Sequence, residues 1–290
     1  LNSEAVAEKI MVRLRETYHL AGYDHLASCS IGVTVFGKME RGVDELLKRA
    51  DLAMYEAKNA GRNAIRFFDP RMQELVTARA TLETELRDAL ERDELVIYLQ
   101  PQIDHVQRLV GAEALLRWQH PSRGIVPPSE FIPVAESSGL ILPIGFFVLE
   151  AACRQLVAWS NHSELSHVPI AVNVSAAQIH DERFVEHVLR IIDRTGADPK
   201  RLKFELTESV LVRNADEIIR KMKFLQKRGI RFSLDDFGTG YSSLSYLKRL
   251  PLDQLKIDRE FVKDVLIDGN DAAIARMIVA LGSSLELEVI

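Results

Sequence analysis

The sequence predicts an α/β fold, a (β/α) barrel, preceded by a smaller α+β segment. After Glu94, strand-like runs alternate with helical patterns in units of roughly 30 residues. Several runs, such as PIAVNVS, are almost continuously apolar, which is expected when both faces of a parallel sheet are buried. Since GxGxxG and P-loop patterns do not follow the strands, a barrel is favoured over a nucleotide-binding doubly wound sheet.

The first 71 residues are predicted to be the C-terminal part of a small α+β domain. Gly61 stands where the second of two amphipathic helices would end. Two helices and two strands make too small a core to fold alone, so the beginning of this domain is expected to lie outside the sequence. The predicted elements are helices at 3–18 and 43–61 and strands at 28–36 and 64–68.

A linker helix is predicted over residues 72–92, which lack Gly and Pro and carry apolar residues at three- and four-residue spacing. The same pattern fits the first helix of the larger domain. That barrel domain is predicted over residues 93–290. Its strands are LVIYLQP, GAEALLRW, PIAVNVS, LKFELTE, IRFSLDD, DQLKID and LELEVI, and its clearest helices are 181–196 and 215–229.

The composition is that of an ordinary soluble protein, with 290 residues, a formal net charge of −5, 47% hydrophobic residues and 27% charged residues. Nucleic acid polymers and anionic membranes bind basic faces, so this mild acidity gives no reason to expect either partner. No apolar stretch approaches the roughly 18 residues of a membrane span. We expect a cytoplasmic protein, and the sequence leaves open whether a longer parent protein is anchored to a membrane.

Polar side chains stand at or near the C-terminal part of the predicted strands. In a barrel these strand ends face one mouth, where active sites are built, so the side chains should converge on one pocket. Each has an ordinary explanation when taken alone, such as a turn residue for Asn173 or a surface ion pair between Lys256 and Asp258. Their joint placement favours a site. The residues are Gln100, Glu113, Asn173, Glu205, Asp235, Asp236, Lys256 and Asp258.

Besides Asp258, four of these residues are acids that would crowd negative charge at the mouth, which is costly unless they protonate or a cation neutralises them. Carboxylates together with the amide oxygen of Asn173 are hard ligands that suit Mg²⁺ or Mn²⁺. Two adjacent aspartates can hold two ions about 3.5–4 Å apart, as in phosphoester hydrolases. The eight histidines lack paired spacing, which argues against a histidine-bound zinc. The four acids are Glu113, Glu205, Asp235 and Asp236.

At these residues the sequence resembles an EAL domain, the phosphodiesterase of cyclic di-GMP signalling, from about Leu82 to the chain end. The resemblance implies a modified (β/α)8 barrel in which one strand is antiparallel to the rest. The first 70 residues resemble the end of a GGDEF (diguanylate cyclase) domain through SIGVTVF and ADLAMYEAKNAGRN. The GGDEF motif does not occur, so cyclase activity is not predicted. The matching EAL runs are YLQPQI, EALLRW, FIPVAESSGLI, NVSAAQ, FELTES, DDFGTGYSSLSYL and LKID.

The resemblance implies two metal sites that share one carboxylate. Asp235 and Asp236 would bind the second Mg²⁺ or Mn²⁺, and Lys256 would lie beside the attacking water. The ligands of the first ion would be Glu113, Asn173, Glu205 and Asp235.

Substrate and loop roles follow from the same resemblance. Arg117 would contact a substrate phosphate, Gln100 would line the dinucleotide site, and Asp258 shares the strand end of the catalytic lysine. The loop Phe237–Leu244 would shape the metal site and a dimer contact, with Glu208 as its anchor.

The function implied is hydrolysis of cyclic di-GMP to linear pGpG. The alternative is a catalytically silent cyclic di-GMP receptor, and a third hypothesis, compatible with either, is a regulatory scaffold that dimerises through the double-aspartate loop. Silent members tend to lose metal ligands, whereas every ligand that this chain is long enough to contain is present, which favours the enzyme. The expected partners are a second copy of the chain and an upstream sensor domain.

The resemblance also implies that the barrel is incomplete at its C-terminus. In the family, a strand like LELEVI continues into a segment with another metal-binding glutamate and an eighth strand, whereas this sequence stops at Ile290. An open barrel exposes two strand edges and part of its core. We therefore expect the 290-residue chain alone to hydrolyse cyclic di-GMP poorly.

Overall fold

The computed structural model describes residues 3–20, 22–37, 42–59, 61–208, 210, 214–238 and 247–290. The chain divides into two compact units, residues 1–84 and 85–290.

The first unit contains two small sheets and their helices. An antiparallel hairpin joins β1 to β2, and β3 pairs in parallel with β4. Ala53 and Ala57 are fully buried one turn apart in α2, on the helix that packs against β3 and β4. The elements are α1 Ser3–Leu14, β1 Thr17–Leu20, β2 Tyr23–Leu26, β3 Ile31–Val33, α2 Val43–Asn59 and β4 Ile65–Phe67.

The hairpin β1–β2 corrects the sequence prediction at this end of the chain. The helix predicted over residues 3–18 ends at Leu14, and Thr17–Leu20 is a strand. Thr17 and Tyr18 are β-branched and aromatic residues that favour strands, and pairing with Tyr23–Leu26 outweighs their helical spacing.

Helix α3 (Pro70–Glu91) lies where the linker helix was predicted. The division between the units, at Thr84, falls inside it. Within the second unit, Leu86 and Ala89 on this helix are fully buried. The domain boundaries at residues 71 and 92 stay predictions.

The second unit is built on one sheet with the order β5-β6-β8-β9-β10-β11-β12, and the short β7 pairs with β6. Strand β5 is antiparallel to β6, whereas β6, β8, β9, β10, β11 and β12 are parallel neighbours. This confirms the predicted α/β fold with an antiparallel strand. Between the described residues, no ladder joins β12 to β5. The strands are β5 Leu95–Ile103, β6 Leu109–His120, β7 Gly124–Val126, β8 Ile170–Asn173, β9 Leu202–Thr207, β10 Arg231–Phe237, β11 Gln254–Ile257 and β12 Glu288–Val289.

Helices cover the outer face of this sheet. Phe204 of β9 packs against Phe184 of α7 and Phe232 of β10, so the even-numbered residues of β9 face the helices. Because side chains alternate along a strand, Lys203 and Glu205 face the opposite, inner side. The helices are α4 Pro128–Ser138, α5 Ile141–Trp159, α6 Ala176–His180, α7 Phe184–Thr195, α8 Ala215–Gln226, α9 Arg259–Lys263 and α10 Gly269–Ser284, with a 3-10 turn at Pro199–Arg201.

Helix α5 is long and apolar enough to cross a membrane when judged by length and composition alone, which the sequence analysis did not anticipate. Its buried residues include Ile144, Leu149 and Cys153, and it packs against β8 and α7. These contacts are those of a core helix, because a soluble domain buries such a helix among its own elements.

Candidate active site

The centre of the inner face is an ammonium group surrounded by three carboxylates. Lys256 Nζ lies 3.0 Å from Glu113 Oε2, 2.7 Å from Glu205 Oε2 and 3.1 Å from Asp235 Oδ2. The four residues come from four different strands, β11, β6, β9 and β10. Parallel strands of one sheet therefore bring together groups that are up to 143 positions apart in sequence.

Glu205 is the most buried member of this cluster, with 1% of its surface exposed. Burial raises the pKa of its carboxyl to about 7, against the opposing effect of Lys256. Burial would lower the pKa of the Lys256 ammonium, but the three carboxylates raise it above its ordinary value. Glu205 Oε1 is buried without a hydrogen-bond partner. One lysine thus compensates only part of the negative charge here.

Asn173 and Gln100 flank the cluster through sheet register. Asn173 Nδ2 donates to Glu113 Oε1 at 2.7 Å, and Asn173 is the lateral neighbour of Glu205. Gln100 is the partner of Glu113 across the antiparallel ladder. Asn173 is therefore bonded to another predicted site residue and does not serve as a turn residue.

The two adjacent aspartates stand at an irregularity of β10. The register between β10 and β11 shifts between Leu234 and Phe237, and Asp236 has a left-handed φ of 53°. Leu234 and Phe237 nevertheless pack into one apolar cluster. In a regular strand, Asp236 would share the face of Leu234. The bulge keeps both aspartates off the helix-facing side, and a non-glycine residue in this conformation is a strain that concentrates at functional sites.

Asp236 lies beside Asp258 at the end of β11. Burial raises the pKa of the Asp236 carboxyl to about 6, with further contributions from Asp235 and from a hydrogen bond with Asp258. Asp258 caps α9, where its Oδ1 accepts from Glu260 N at 2.6 Å. The ordinary explanation of Lys256 as a surface partner of Asp258 is wrong, since Lys256 binds the three carboxylates.

These residues fit a divalent cation. Glu113, Glu205 and Asp235 offer carboxylate oxygens that all lie within 4.8 Å of one another, and a cationic group already lies among them. An unpartnered buried oxygen and a donor set made only of oxygen are what a hard cation such as Mg²⁺ requires.

A cavity of about 330 Å³ opens beside the cluster. Arg117 lines it, donates from Nη1 to Leu116 O at 2.8 Å and lies with its guanidinium 5.7 Å from the centre of the Tyr98 ring. Glu136 and Gln178 also line it. The sequence predicted no role for either residue, although they belong to the quoted runs FIPVAESSGLI and NVSAAQ. The apolar wall consists of Leu115, Pro128, Ile132, Ile141, Ile144 and Val148.

Glu208 holds the start of the loop that follows the aspartates. Its Oε1 accepts from Gly238 N at 2.9 Å. Gly238 has a φ of 108°, and a Cβ there would lie 2.9 Å from Phe261 Cε2, so the position requires glycine. Residues 239–246 lie outside the described residues, so the predicted loop shape and dimer contact stay predictions.

Comparison with known families agrees with this architecture. The model of the EAL domain family matches residues 83–290, which is more than half of the chain. The chain belongs to the EAL domain family. The model of the diguanylate cyclase GGDEF domain matches residues 1–64.

Two relatives match almost the whole of this chain. The bifunctional diguanylate cyclase/cyclic di-GMP phosphodiesterase MucR of Pseudomonas aeruginosa is 41% identical over 100% of this chain and 42% of its own length. Cyclic di-GMP phosphodiesterase PdeR of Escherichia coli is 38% identical over 99% of this chain and 43% of its own length. The chain therefore spans about two fifths of these relatives.

Solved structures give the same fold. The MucR phosphodiesterase in complex with c-di-GMP superposes with a TM-score of 0.68 and 45% identity, over 72% of this chain and 85% of that one. The cGMP-bound EAL enzyme Bd1971 superposes with a TM-score of 0.69 and 27% identity, over 87% of this chain and 66% of that one.

Proposed function

We propose that this EAL domain hydrolyses one phosphodiester bond of cyclic di-GMP and releases linear pGpG. The observation that carries the proposal is the cluster of Glu113, Glu205 and Asp235 around Lys256, next to a cavity that Arg117 lines. The names of the relatives MucR and PdeR, both cyclic di-GMP phosphodiesterases, point to the same substrate.

We propose two Mg²⁺ or Mn²⁺ ions as cofactors. Asp235 and Asp236 would hold the second ion, with Asp235 shared between the two. When bound, these ions supply Lewis-acid chemistry that lowers the pKa of water and neutralises phosphate charge. The ligands proposed for the first ion are Glu113, Asn173, Glu205 and Asp235.

Lys256 acts in this proposal as a fixed positive charge. In the metal-free site the carboxylates around it raise the pKa of its ammonium above the ordinary value, which favours a protonated hydrogen-bond donor over a general base. It donates hydrogen bonds at the mouth, where it can orient the attacking water and stabilise charge that develops on the phosphate.

Arg117 and Gln100 bind the substrate in this proposal. A guanidinium forms charge-assisted, bidentate hydrogen bonds with a phosphate. Arg117, which carries such a group, lines the cavity. Gln100 neighbours Glu113 across the ladder, which brings it to the edge of the same cluster. The apolar wall of the cavity would cover the flat faces of a base.

Because the 290-residue chain alone is expected to hydrolyse cyclic di-GMP poorly, a direct test uses a chain extended past Ile290. It incubates that chain with cyclic di-GMP and Mg²⁺ or Mn²⁺ and follows pGpG by chromatography. Production of pGpG that stops with EDTA supports the proposal. Release of two GMP molecules without pGpG, or turnover that EDTA leaves intact, would contradict it.

A cyclic di-GMP receptor without turnover is the second candidate. The specific observation in its favour is that Lys256 already compensates part of the carboxylate charge, so the cluster can exist without bound metal. In that case equilibrium dialysis would show bound cyclic di-GMP that is recovered intact after prolonged incubation with Mn²⁺.

We also propose a homodimer formed through the loop after the double aspartate, an upstream sensor domain and a cytoplasmic location. The family resemblance supports the dimer, and the ordinary soluble composition supports the location. Light scattering of the intact protein tests the first, because a monomer at micromolar concentration with cyclic di-GMP would contradict it.

A further inference from the structure

A second polar network, formed by Lys203, Gln254 and Glu288, lies on the inner face. It stands two residues before the carboxylate cluster along β9 and β11. Lys203 Nζ donates to Gln254 Oε1 at 3.0 Å, and Gln254 Nε2 donates to Glu288 Oε2 at 2.9 Å. Lys203 is 5% exposed and Gln254 is 2% exposed. A lysine is almost never buried to this extent unless it is paired, so these bonds hold it in place.

This polar network and the carboxylate cluster occupy consecutive inward-facing positions on the same two strands, β9 and β11. Lys203 and Glu205 are two residues apart on β9, and Gln254 and Lys256 are two residues apart on β11, so each pair points to the same side. The contacts are Lys203 to Gln254 at 3.0 Å and Lys256 to Glu205 at 2.7 Å.

Neither contact joins neighbouring strands, because β10 lies between β9 and β11. On β10, the lateral neighbour of both Glu205 and Gln254 is Ser233. Since serine is short, the longer side chains on either side can reach across it. The spacing between β9 and β11 at this level therefore depends on side chains as well as on the backbone ladders.

We propose that Lys203, Gln254 and Glu288 are positioning residues that fix the separation of β9, β11 and β12 and thereby the spacing of Glu205 and Lys256 in the metal site. The inference rests on the proposed function, because it assigns this polar network a role in binding the divalent cation. Removing a group that hydrogen-bonds to a metal ligand typically lowers metal affinity by about 10–100-fold. Lys203, Gln254 and Glu288 act one contact further from the ligands, so we expect an effect at the lower end of that range.

The test measures Mn²⁺ binding to the metal-free full chain by calorimetry, alongside its thermal unfolding. Lys203→Met keeps the length of the side chain and removes the donor, and we expect about tenfold weaker Mn²⁺ binding. Loss of a positive charge alone would strengthen cation binding, so weaker binding is the signature of lost positioning.

Lys221→Met is the matched control. Lys221 is also a largely buried lysine, and its Nζ donates to Ile179 O and Asp181 O at 2.9 Å, where it ties α8 to the end of α6. We expect Lys221→Met to lower the unfolding temperature while Mn²⁺ affinity stays that of the wild type. A purely structural role of Lys203 would give this same result.

A rescue experiment keeps the proposal testable if Lys203→Met does not fold. Gln254→Glu alone places two carboxylates side by side and should weaken Mn²⁺ binding. Combining it with Glu288→Gln restores both hydrogen bonds. The carboxylate at position 254 would then accept from Lys203 Nζ and from the new amide at position 288. We expect the pair to recover affinity that the single change loses.

The outcomes separate the two proposals. If the wild type binds Mn²⁺ and Lys203→Met binds it equally or more tightly, the positioning role alone is overturned. The same conclusion follows if the paired variant recovers no affinity. Failure of the wild type to bind Mn²⁺ would overturn the proposed function, and the inference with it.

Discussion

Lys256 Nζ lies 2.7 Å from Glu205 Oε2, although the two residues are 51 positions apart in the chain. The ammonium also contacts Glu113 and Asp235. A protonated lysine therefore stands among the groups that we assign to a divalent cation, and it stabilises the cluster when no cation is bound. A cation bound by the same carboxylates would compete with this ammonium for their oxygens.

The first prediction concerns pH and Glu205. Its folded pKa of about 7 lies above the ordinary 4.5, so the folded protein holds this proton more tightly than the unfolded chain does. The resulting stability is full below pH 4.5 and is lost as the pH rises through about 7. In EDTA, the wild type should lose unfolding temperature across this window relative to Glu205→Gln. A constant difference between the two proteins would contradict the assignment.

In a chain extended past Ile290, Asp235→Asn should lower pGpG production by about 100-fold or more, because the substitution removes charge from a carboxylate that we propose as a ligand of both ions. Cyclic di-GMP binding should weaken less, since Gln100 and Arg117 remain. Asp193→Asn, on the exposed face of α7, is the control and should keep wild-type turnover. Near-normal turnover by Asp235→Asn would show that the two-ion assignment is wrong.

Arg117→Ala should weaken cyclic di-GMP binding by about 1.5–3 kcal/mol, the usual range for hydrogen bonds to charged groups. Calorimetry at physiological salt measures this change. Arg154→Ala serves as the control, because Arg154 is an exposed arginine paired with Glu150. If both variants bind like the wild type, Arg117 is a packing residue on Tyr98 instead.

Gly238→Ala should destabilise the second unit by about 1–3 kcal/mol, because a φ of 108° strains any residue with a Cβ. The added methyl group would also press against Phe261 and Ile278. Gly269→Ala is the control, since nothing lies within 4 Å of a Cβ at Gly269. Urea unfolding measures both changes, and equal midpoints would show that the position tolerates alanine.

The sequence predicted the strands of the barrel because each is a short apolar run that ends in polar residues. The run LKFELTE became β9 (Leu202–Thr207) and DQLKID became β11 (Gln254–Ile257). Helix α5 was not predicted as an element, because its buried residues occupy more than one face and leave little polar stripe to recognise. The hairpin β1–β2 was missed because its first strand follows a helix with compatible spacing.

The convergence of the site residues could be predicted, whereas their mutual contacts could not. Strand ends that share one mouth bring Glu113 and Lys256 together. The hydrogen bond between their side chains joins positions 143 apart, and it depends on the register of the sheet, which no local sequence pattern encodes. The network formed by Lys203, Gln254 and Glu288 is equally nonlocal. The inward direction of Lys203 follows only once Phe204 is known to face α7.

The bulge at Asp236 is what allows two carboxylates to stand where a regular strand would hold one. Deleting one of the two aspartates would leave Leu234 and Phe237 two positions apart, and side chains two positions apart share a face of a regular strand. Such a deletion would keep the apolar cluster and remove both the bulge and one carboxylate. The two apolar residues stand an odd number of positions apart and still share a cluster, so an odd apolar spacing around paired acids is a pattern by which such a bulge can be recognised in a sequence.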